Sequence, residues 1–89
     1  MRVWSRLFDK KNHMLKDTVI TVENNSLNRT KKVFQALEDT CYEFDLGKPI
    51  WLDSTIADFQ KHSKCRFYQD SFIEEIDFHY LEFQVLDED

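Results

Sequence analysis

The sequence predicts a single α+β domain in which one main helix packs on a face of a mixed or antiparallel β-sheet. Segments near both ends of the chain alternate in the manner of strands, and a central segment repeats apolar residues with the 3.6-residue period of a helix. The 89 residues are 42% hydrophobic and 15% aromatic and include only one Gly and one Pro. This composition suffices for one folded core, so residues 1–89 are expected to form one domain.

The chain begins with two predicted strands. Residues 1–8 alternate with apolar side chains on both faces, and residues 15–22 include the β-branched run Thr18–Val22, which suits a pleated surface. The polar residues 9–13 lie between them. We therefore expect a β-hairpin.

The main helix is predicted over residues 28–45. Its apolar stripe comprises Val33, Phe34, Leu37, Cys41 and Phe44. Residues 23–26 favour turns and helix caps, and they precede the periodic segment. Gly47 supplies an easy left-handed conformation after the last turn and Pro49 cannot continue a helix, so the sequence predicts that the helix ends here.

The second half of the chain alternates short elements. Residues 49–52 are an apolar run that predicts a brief buried strand. Asp53–Thr55 offers capping side chains to a second helix that extends to about His62, with Ile56 and Phe59 facing the core.

Two further strands are predicted near the C-terminus, over residues 64–69 and 78–86. Residues 70–77 fit either a turn followed by a strand or a short helical turn. The resulting order is β-β-α-β-α-β-β, and among small α+β architectures the β-grasp of ubiquitin-like domains has the closest order of elements.

Cysteine usage and hydropathy indicate the compartment. Two cysteines, Cys41 and Cys65, are too few for a secreted disulfide scaffold. The first residues also lack the basic segment followed by an apolar segment that is typical of a secretory signal peptide. No apolar run approaches the length needed to span a bilayer. We therefore expect a cytoplasmic protein with no membrane association.

Catalytic and metal-binding patterns are sparse. His62 and Cys65 have an H-x-x-C spacing that Cys41, His13 or His79 could complete, but a structural zinc site usually shows two paired ligand motifs. The single Gly excludes phosphate-cradling loops. A triad built on Cys65 stays open, although no turn motif positions it. We expect no cofactor, no metal and no enzymatic activity.

Charge is divided unevenly along the chain. Residues 1–32 carry eight basic and three acidic side chains, whereas residues 33–89 carry four basic and fourteen acidic ones. The basic third with Trp4 and Phe8 favours nucleic acid or a small ligand as an alternative partner, but the acidic remainder would repel a phosphate backbone. Nucleic-acid binding is therefore not the first expectation.

The aromatic content points to an interface. Thirteen aromatic residues exceed what one small core readily hides. The alternative is a compact core with a few ordinary exposed rings. The residues expected to contribute to an exposed patch are Trp4, Phe8, Trp51, Tyr68, Phe78 and Tyr80.

These features predict a non-enzymatic protein–protein interaction module that binds itself or another protein. A two-fold homodimer is the simplest assembly. Pairing of the basic N-terminal region of one copy with the acidic C-terminal region of the other would make its affinity fall with added salt.

Several segments resemble a known family. They are residues 1–6, Lys48–Ser54, Ile56–His62 and Phe72–Asp89. Together they are similar to an uncharacterised family of small proteins from Gram-positive anaerobic bacteria. The resemblance implies a bacterial cytoplasmic setting, and it carries no residue roles over to this chain.

Overall fold

The computed structural model describes residues 1–23 and 25–88 and has an α+β fold, which confirms the predicted fold class. The strands are β1 (Arg2–Phe8), β2 (Met14–Thr21), β3 (Lys64–Phe67) and β4 (Tyr80–Asp87), and the helices are α1 (Arg29–Phe44) and α2 (Asp53–His62). The strands form one sheet in the order β2-β1-β4-β3, with every neighbouring pair antiparallel. The antiparallel alternative of the prediction is therefore the one that forms.

The predicted hairpin joins β1 and β2. Beyond its open end, the Met1 amino group donates to the Val22 carbonyl at 3.0 Å and the Val22 N–H donates back to the Met1 carbonyl at 2.9 Å. At the loop, the Asp9 carboxylate accepts the N–H groups of Lys11 and His13, both at 2.9 Å. These local bonds explain how a polar five-residue connection holds a defined turn.

Helix α1 is capped at both ends by short polar residues. The Asn28 side chain accepts the N–H of Lys31 at 2.9 Å, which is the expected role of an N-cap. Asp45 adopts the left-handed conformation with φ of 55° and closes the helix. The prediction that Gly47 would supply this conformation is wrong, because Asp also tolerates it and occurs two residues earlier.

The buried stripe of α1 differs slightly from the predicted one. Phe34 is 53% exposed, whereas Ala36 and Thr40 are buried. Small residues allow α1 to approach the sheet closely, and the Thr40 and Ser5 hydroxyls form a buried hydrogen bond at 2.7 Å. This bond ties the helix to the central strand β1.

The segment from Pro49 to Leu52 is not a strand of the sheet, contrary to the prediction. Its N–H at Ile50 donates to the Ser71 carbonyl at 2.7 Å. The Trp51 ring contacts Phe67 and Phe83 edge-on, with centroids 5.0 and 6.3 Å away. Because these rings lie on the face of the sheet that the helices cover, the segment lies over the sheet instead of pairing with it.

Helix α2 begins at Asp53 with Leu52 at the N-cap and no side-chain capping bond. The expected caps within residues 53–55 are therefore not used. Phe59 is buried as predicted, but Ile56 is exposed. A 3₁₀ turn at Gln69–Ser71 begins the region that the sequence left open, and an irregular segment leads from it to β4.

Both helices pack on one face of the sheet, where Val3, Phe67, Leu81 and Phe83 are completely buried. No helix within residues 1–23 and 25–88 is long and apolar enough to span a bilayer.

Candidate interaction surface

The second face of the sheet carries no helix within the described ranges, and we call it the open face. Because side chains alternate along a strand, each strand sends every second residue to this face. The side chains on this face include those of Trp4, Arg6, Phe8, Asp17, Val19, Thr21, Lys64, Arg66, Tyr80, Glu82 and Gln84, and that of Tyr68, which directly follows β3.

A buried carboxylate lies at the centre of the open face. Glu82 Oε1 is 2.7 Å from Arg6 Nη2, and Glu82 Oε2 is 2.8 Å from Arg66 Nε. The Glu82 side chain is only 7% exposed. Each carboxylate oxygen therefore holds one guanidinium, and the hydrogen bond to Glu82 is the first cause of the raised pKa of Arg66. Both arginines are charged and fixed in position.

The two guanidinium groups lie against aromatic rings. Arg6 Cζ is 3.9 Å from the Trp4 ring centroid, and Arg66 Cζ is 4.5 Å from that of Tyr80. The Trp4 indole N–H donates to Asp17 Oδ2 at 3.0 Å. The result is a layer of alternating cations and rings that spans three strands and is held by a single buried carboxylate.

The structure brings together four of the six predicted interface residues: Trp4, Phe8, Tyr68 and Tyr80. Tyr80 stacks on Phe8 and contacts Tyr68, with centroids 5.1 and 5.4 Å apart. As a result Tyr80 is only 3% exposed. It supports the face, whereas Trp4, Phe8 and Tyr68 remain accessible at it.

The other two predicted residues lie elsewhere. Trp51 is half-buried on the covered side of the sheet against Phe59, Phe67 and Phe83. Phe78 is buried in the core, where its ring meets Phe72 edge-on at 5.7 Å. Both rings fill space beside the helices, because the loop segments that carry them fold over the core.

Sequence reasoning did not single out Arg6, Arg66 and Glu82. A signal was present, since Arg6 stands between Trp4 and Phe8 on one face of the first predicted strand. Charged residues at the centre of otherwise apolar strands need partners when they are buried. Cross-strand register, which the sequence does not contain, decides which partners they find.

The candidate nucleophile Cys65 and the neighbouring candidate metal ligand His62 lie away from the open face, whereas the candidate ligand His79 lies beside it, with its ring centroid 5.4 Å from that of Tyr68. His62 and Cys65 line a cleft of about 360 Å³ beside α2 and β3, together with Asp58. Burial, reinforced by Asp58 and Glu82, raises the pKa of the Cys65 thiol to about 12, and burial raises that of Cys41 to about 11. Both thiols are protonated at neutral pH, which disfavours nucleophilic attack and metal ligation.

The arrangement of the described His, Cys, Asp and Glu side chains does not support a metal site. Among the described residues, no three or more His, Cys, Asp or Glu side chains are grouped so that they could hold a metal ion. Cys41 and Cys65 are free and buried.

No protein-family model, curated protein or solved structure gives a significant match to this chain.

Proposed function

We propose that this protein is a non-enzymatic, homodimeric protein–protein interaction module of the bacterial cytoplasm, and that the open face is its recognition surface. The observation that carries the proposal is the arrangement of Trp4, Arg6, Tyr68 and Arg66 on one helix-free sheet face. Trp, Tyr and Arg are the residue types that dominate binding hot spots.

The rigidity of the open face supports the proposal. Arg6 is held by Glu82 and also donates to Gln84 Oε1 at 2.6 Å, and Trp4 is held by Asp17. Side chains that are fixed before binding lose little conformational freedom when a partner docks. A rigid sheet surface of this kind suits recognition of a folded partner.

The chemistry of the partner follows from the charges around the rings. Lys64 and Arg66 on β3 are exposed, and Glu82 between the two arginines is buried. A docking protein therefore meets cations beside the accessible ring of Tyr68, whereas beside the Trp4 ring it meets the exposed Asp17 carboxylate that accepts the indole N–H. Carboxylates next to an apolar side chain are the complementary surface.

The proposed location rests on the sequence resemblance and on one structural observation. The sequence resembles small proteins of Gram-positive anaerobes, and the two cysteines are free and buried. Free thiols are the rule in the reducing cytoplasm.

Affinity capture followed by binding of purified components tests the recognition surface. The immobilised protein is compared with Trp4→Ala and Tyr68→Ala, and with Tyr42→Ala as the matched control. Tyr42 is an almost fully exposed tyrosine on α1, away from the sheet. We expect a protein retained by the parent and the control to bind the two face variants at least about tenfold more weakly, as for hot-spot truncations. Equal affinity of all four would contradict the proposal.

Single-stranded nucleic acid or a small planar ligand is the second candidate, because layered rings and cations on an open four-stranded sheet are also what base stacking uses. The contacts favour it less, since Arg6 and Arg66 already cover the ring faces of Trp4 and Tyr80. Tryptophan fluorescence during titration with an oligonucleotide at two salt concentrations separates the candidates. A saturable change that weakens with salt would favour nucleic acid.

A further inference from the structure

We propose that the second copy in the homodimer pairs along the free edge of β2, in an antiparallel register centred on Val19. This inference rests on the homodimer of the proposed function and specifies where the two chains meet. The partner surface is thus another copy of the same strand, and the open face stays free for a different protein.

The two edges of the sheet differ in how well they resist pairing. β3 has only four residues and presents the cations Lys64 and Arg66. β2 has eight residues, contains no proline, and exposes Met14, Leu15 and Val19 at about half of their surface each. Short, charged edges resist association, whereas a long edge with exposed apolar side chains is a template for another strand.

The acidic residue of this edge is turned away from it. Asp17 could protect the strand by repelling a second copy, but its carboxylate accepts the Trp4 indole N–H at 3.0 Å. The carboxylate is therefore drawn over the open face towards β1. Lys16 lies opposite Leu7 in the ladder, so its side chain points to the other face of the strand.

The backbone groups available for pairing follow from the ladder between β1 and β2. Met1 and Val22 exchange both hydrogen bonds, and in antiparallel sheets such pairs alternate with non-bonded ones. The next exchanging pair in register is Val3 with Ile20. The N–H and C=O groups of Asp17, Val19 and Thr21 consequently point away from β1, towards the free edge.

Charge then selects among the possible registers. A two-fold axis normal to the sheet makes two β2 strands antiparallel and brings residues of the same face opposite each other. Centring on Asp17 would oppose two carboxylates, which is unfavourable. Centring on Val19 opposes two half-exposed valines and places each Asp17 beside the Thr21 hydroxyl of the other copy. This register forms about six backbone hydrogen bonds.

The consequence is one continuous sheet of twice the width, with both open faces on the same side. Two recognition surfaces then act together, which raises the avidity for a repeated or dimeric partner. Salt should affect this dimer little. Two cross-terminal ion pairs, Arg2 with Asp87 and Arg29 with Glu88, form within one chain at 2.6 Å, so these charges are not available to join two copies.

Sedimentation over concentrations from about 5 to about 500 µM tests the pairing of two β2 strands, which we call the seam, because dimerisation depends on mass action. The parent is compared with Val19→Lys, which places two ammonium groups together at the seam. Ile73→Lys is the matched control, since Ile73 is almost fully exposed and outside the sheet. Thr21→Pro is a second variant, which removes an outward N–H that β1 does not use. Circular dichroism verifies the fold of each.

We expect the parent and Ile73→Lys to dimerise at both low and high salt. Thr21→Pro should dissociate at least about tenfold more readily at both, and Val19→Lys should do so at low salt, where the repulsion between its two ammonium groups is not screened. A folded Val19→Lys variant that dimerises like the parent overturns the β2 seam and leaves the homodimer in place through another surface. A parent that stays monomeric throughout overturns the homodimer itself. Tyr68→Ala alone becoming monomeric would assign the dimer interface to the open face, since Tyr68 follows β3 at the opposite edge of the sheet from β2.

Discussion

Replacement of Glu82 by Gln tests whether the open face depends on its buried carboxylate. The substitution keeps the size and one acceptor oxygen but removes the charge that Arg6 and Arg66 share. The Arg6 and Glu82 side chains are 13% and 7% exposed, so this ion pair is buried, whereas Arg66 is 48% exposed and its pair is half-solvated. Removing one charge of a buried pair typically costs about 3 to 5 kcal/mol, and exposed pairs contribute about 0 to 1 kcal/mol.

The loss of stability is reduced because Arg6 has a second hydrogen-bond acceptor. Gln84 Oε1 lies 2.6 Å from Arg6 Nη2 and can still accept its hydrogen bond. We therefore expect Glu82→Gln to lower the free energy of unfolding by about 2 to 3 kcal/mol at pH 7. For a domain of this size the melting temperature should fall by roughly 10 to 20 °C.

Urea unfolding followed by tryptophan fluorescence measures the change. Glu43→Gln is the control, because Glu43 is exposed on α1, and it should stay within about 0.5 kcal/mol of the parent. Arg66→Gln should cost only about 1 kcal/mol, since this partner is half-solvated. Coincident unfolding midpoints for Glu82→Gln and Glu43→Gln would refute the description of Glu82 as the support of the face.

Further predictions concern the core and the thiols. Leu37→Ala removes a buried α1 side chain and should cost about 2 to 4 kcal/mol in urea unfolding, whereas Tyr42→Ala should be nearly neutral; equal midpoints would mean that the stripe is misassigned. Both cysteines should be reduced and should react with iodoacetamide at pH 8 far more slowly in the native protein than in urea. Equal rates would contradict their burial. Because folding raises both thiol pKa values, their contribution to stability should be complete below about pH 9 and lost as the pH rises towards 11 to 12; a Cys41→Ala/Cys65→Ala protein that loses as much stability as the parent would contradict this. Elemental analysis should find no zinc, and stoichiometric zinc lost together with folding on chelation would refute this expectation.

Periodicity and composition were sufficient for the elements that bury a clear stripe. β1 and the main helix form close to their predicted bounds, because alternation and the 3.6-residue period record which side chains face the core. β2 also forms close to its predicted bounds although none of its residues is buried, because its β-branched run favours a strand. The prediction for residues 49–52 was wrong because it also relied on the apolar pattern alone. A short apolar run signals burial, but it does not distinguish a strand from a loop that lays Trp51 over the sheet.

The candidate surface was only partly accessible to sequence reasoning. Trp4, Phe8, Tyr68 and Tyr80 could be named because they are large and occur in predicted strands. Their grouping depends on the strand order β2-β1-β4-β3, which places Phe8 opposite Tyr80. The burial of Glu82 and the intrachain pairing of Arg2 with Asp87 depend on this long-range register as well.

Amide hydrogen exchange at Val19 tests the assembly of two copies most directly. The Val19 N–H points away from β1, so it should exchange rapidly in a dilute sample and become protected as concentration rises. The Ile20 amide, which points to β1, should be protected at every concentration and serves as the internal reference. Rapid exchange of Val19 in a sample that sedimentation shows to be dimeric would contradict pairing along β2, and rapid exchange in a sample that stays monomeric would contradict the homodimer.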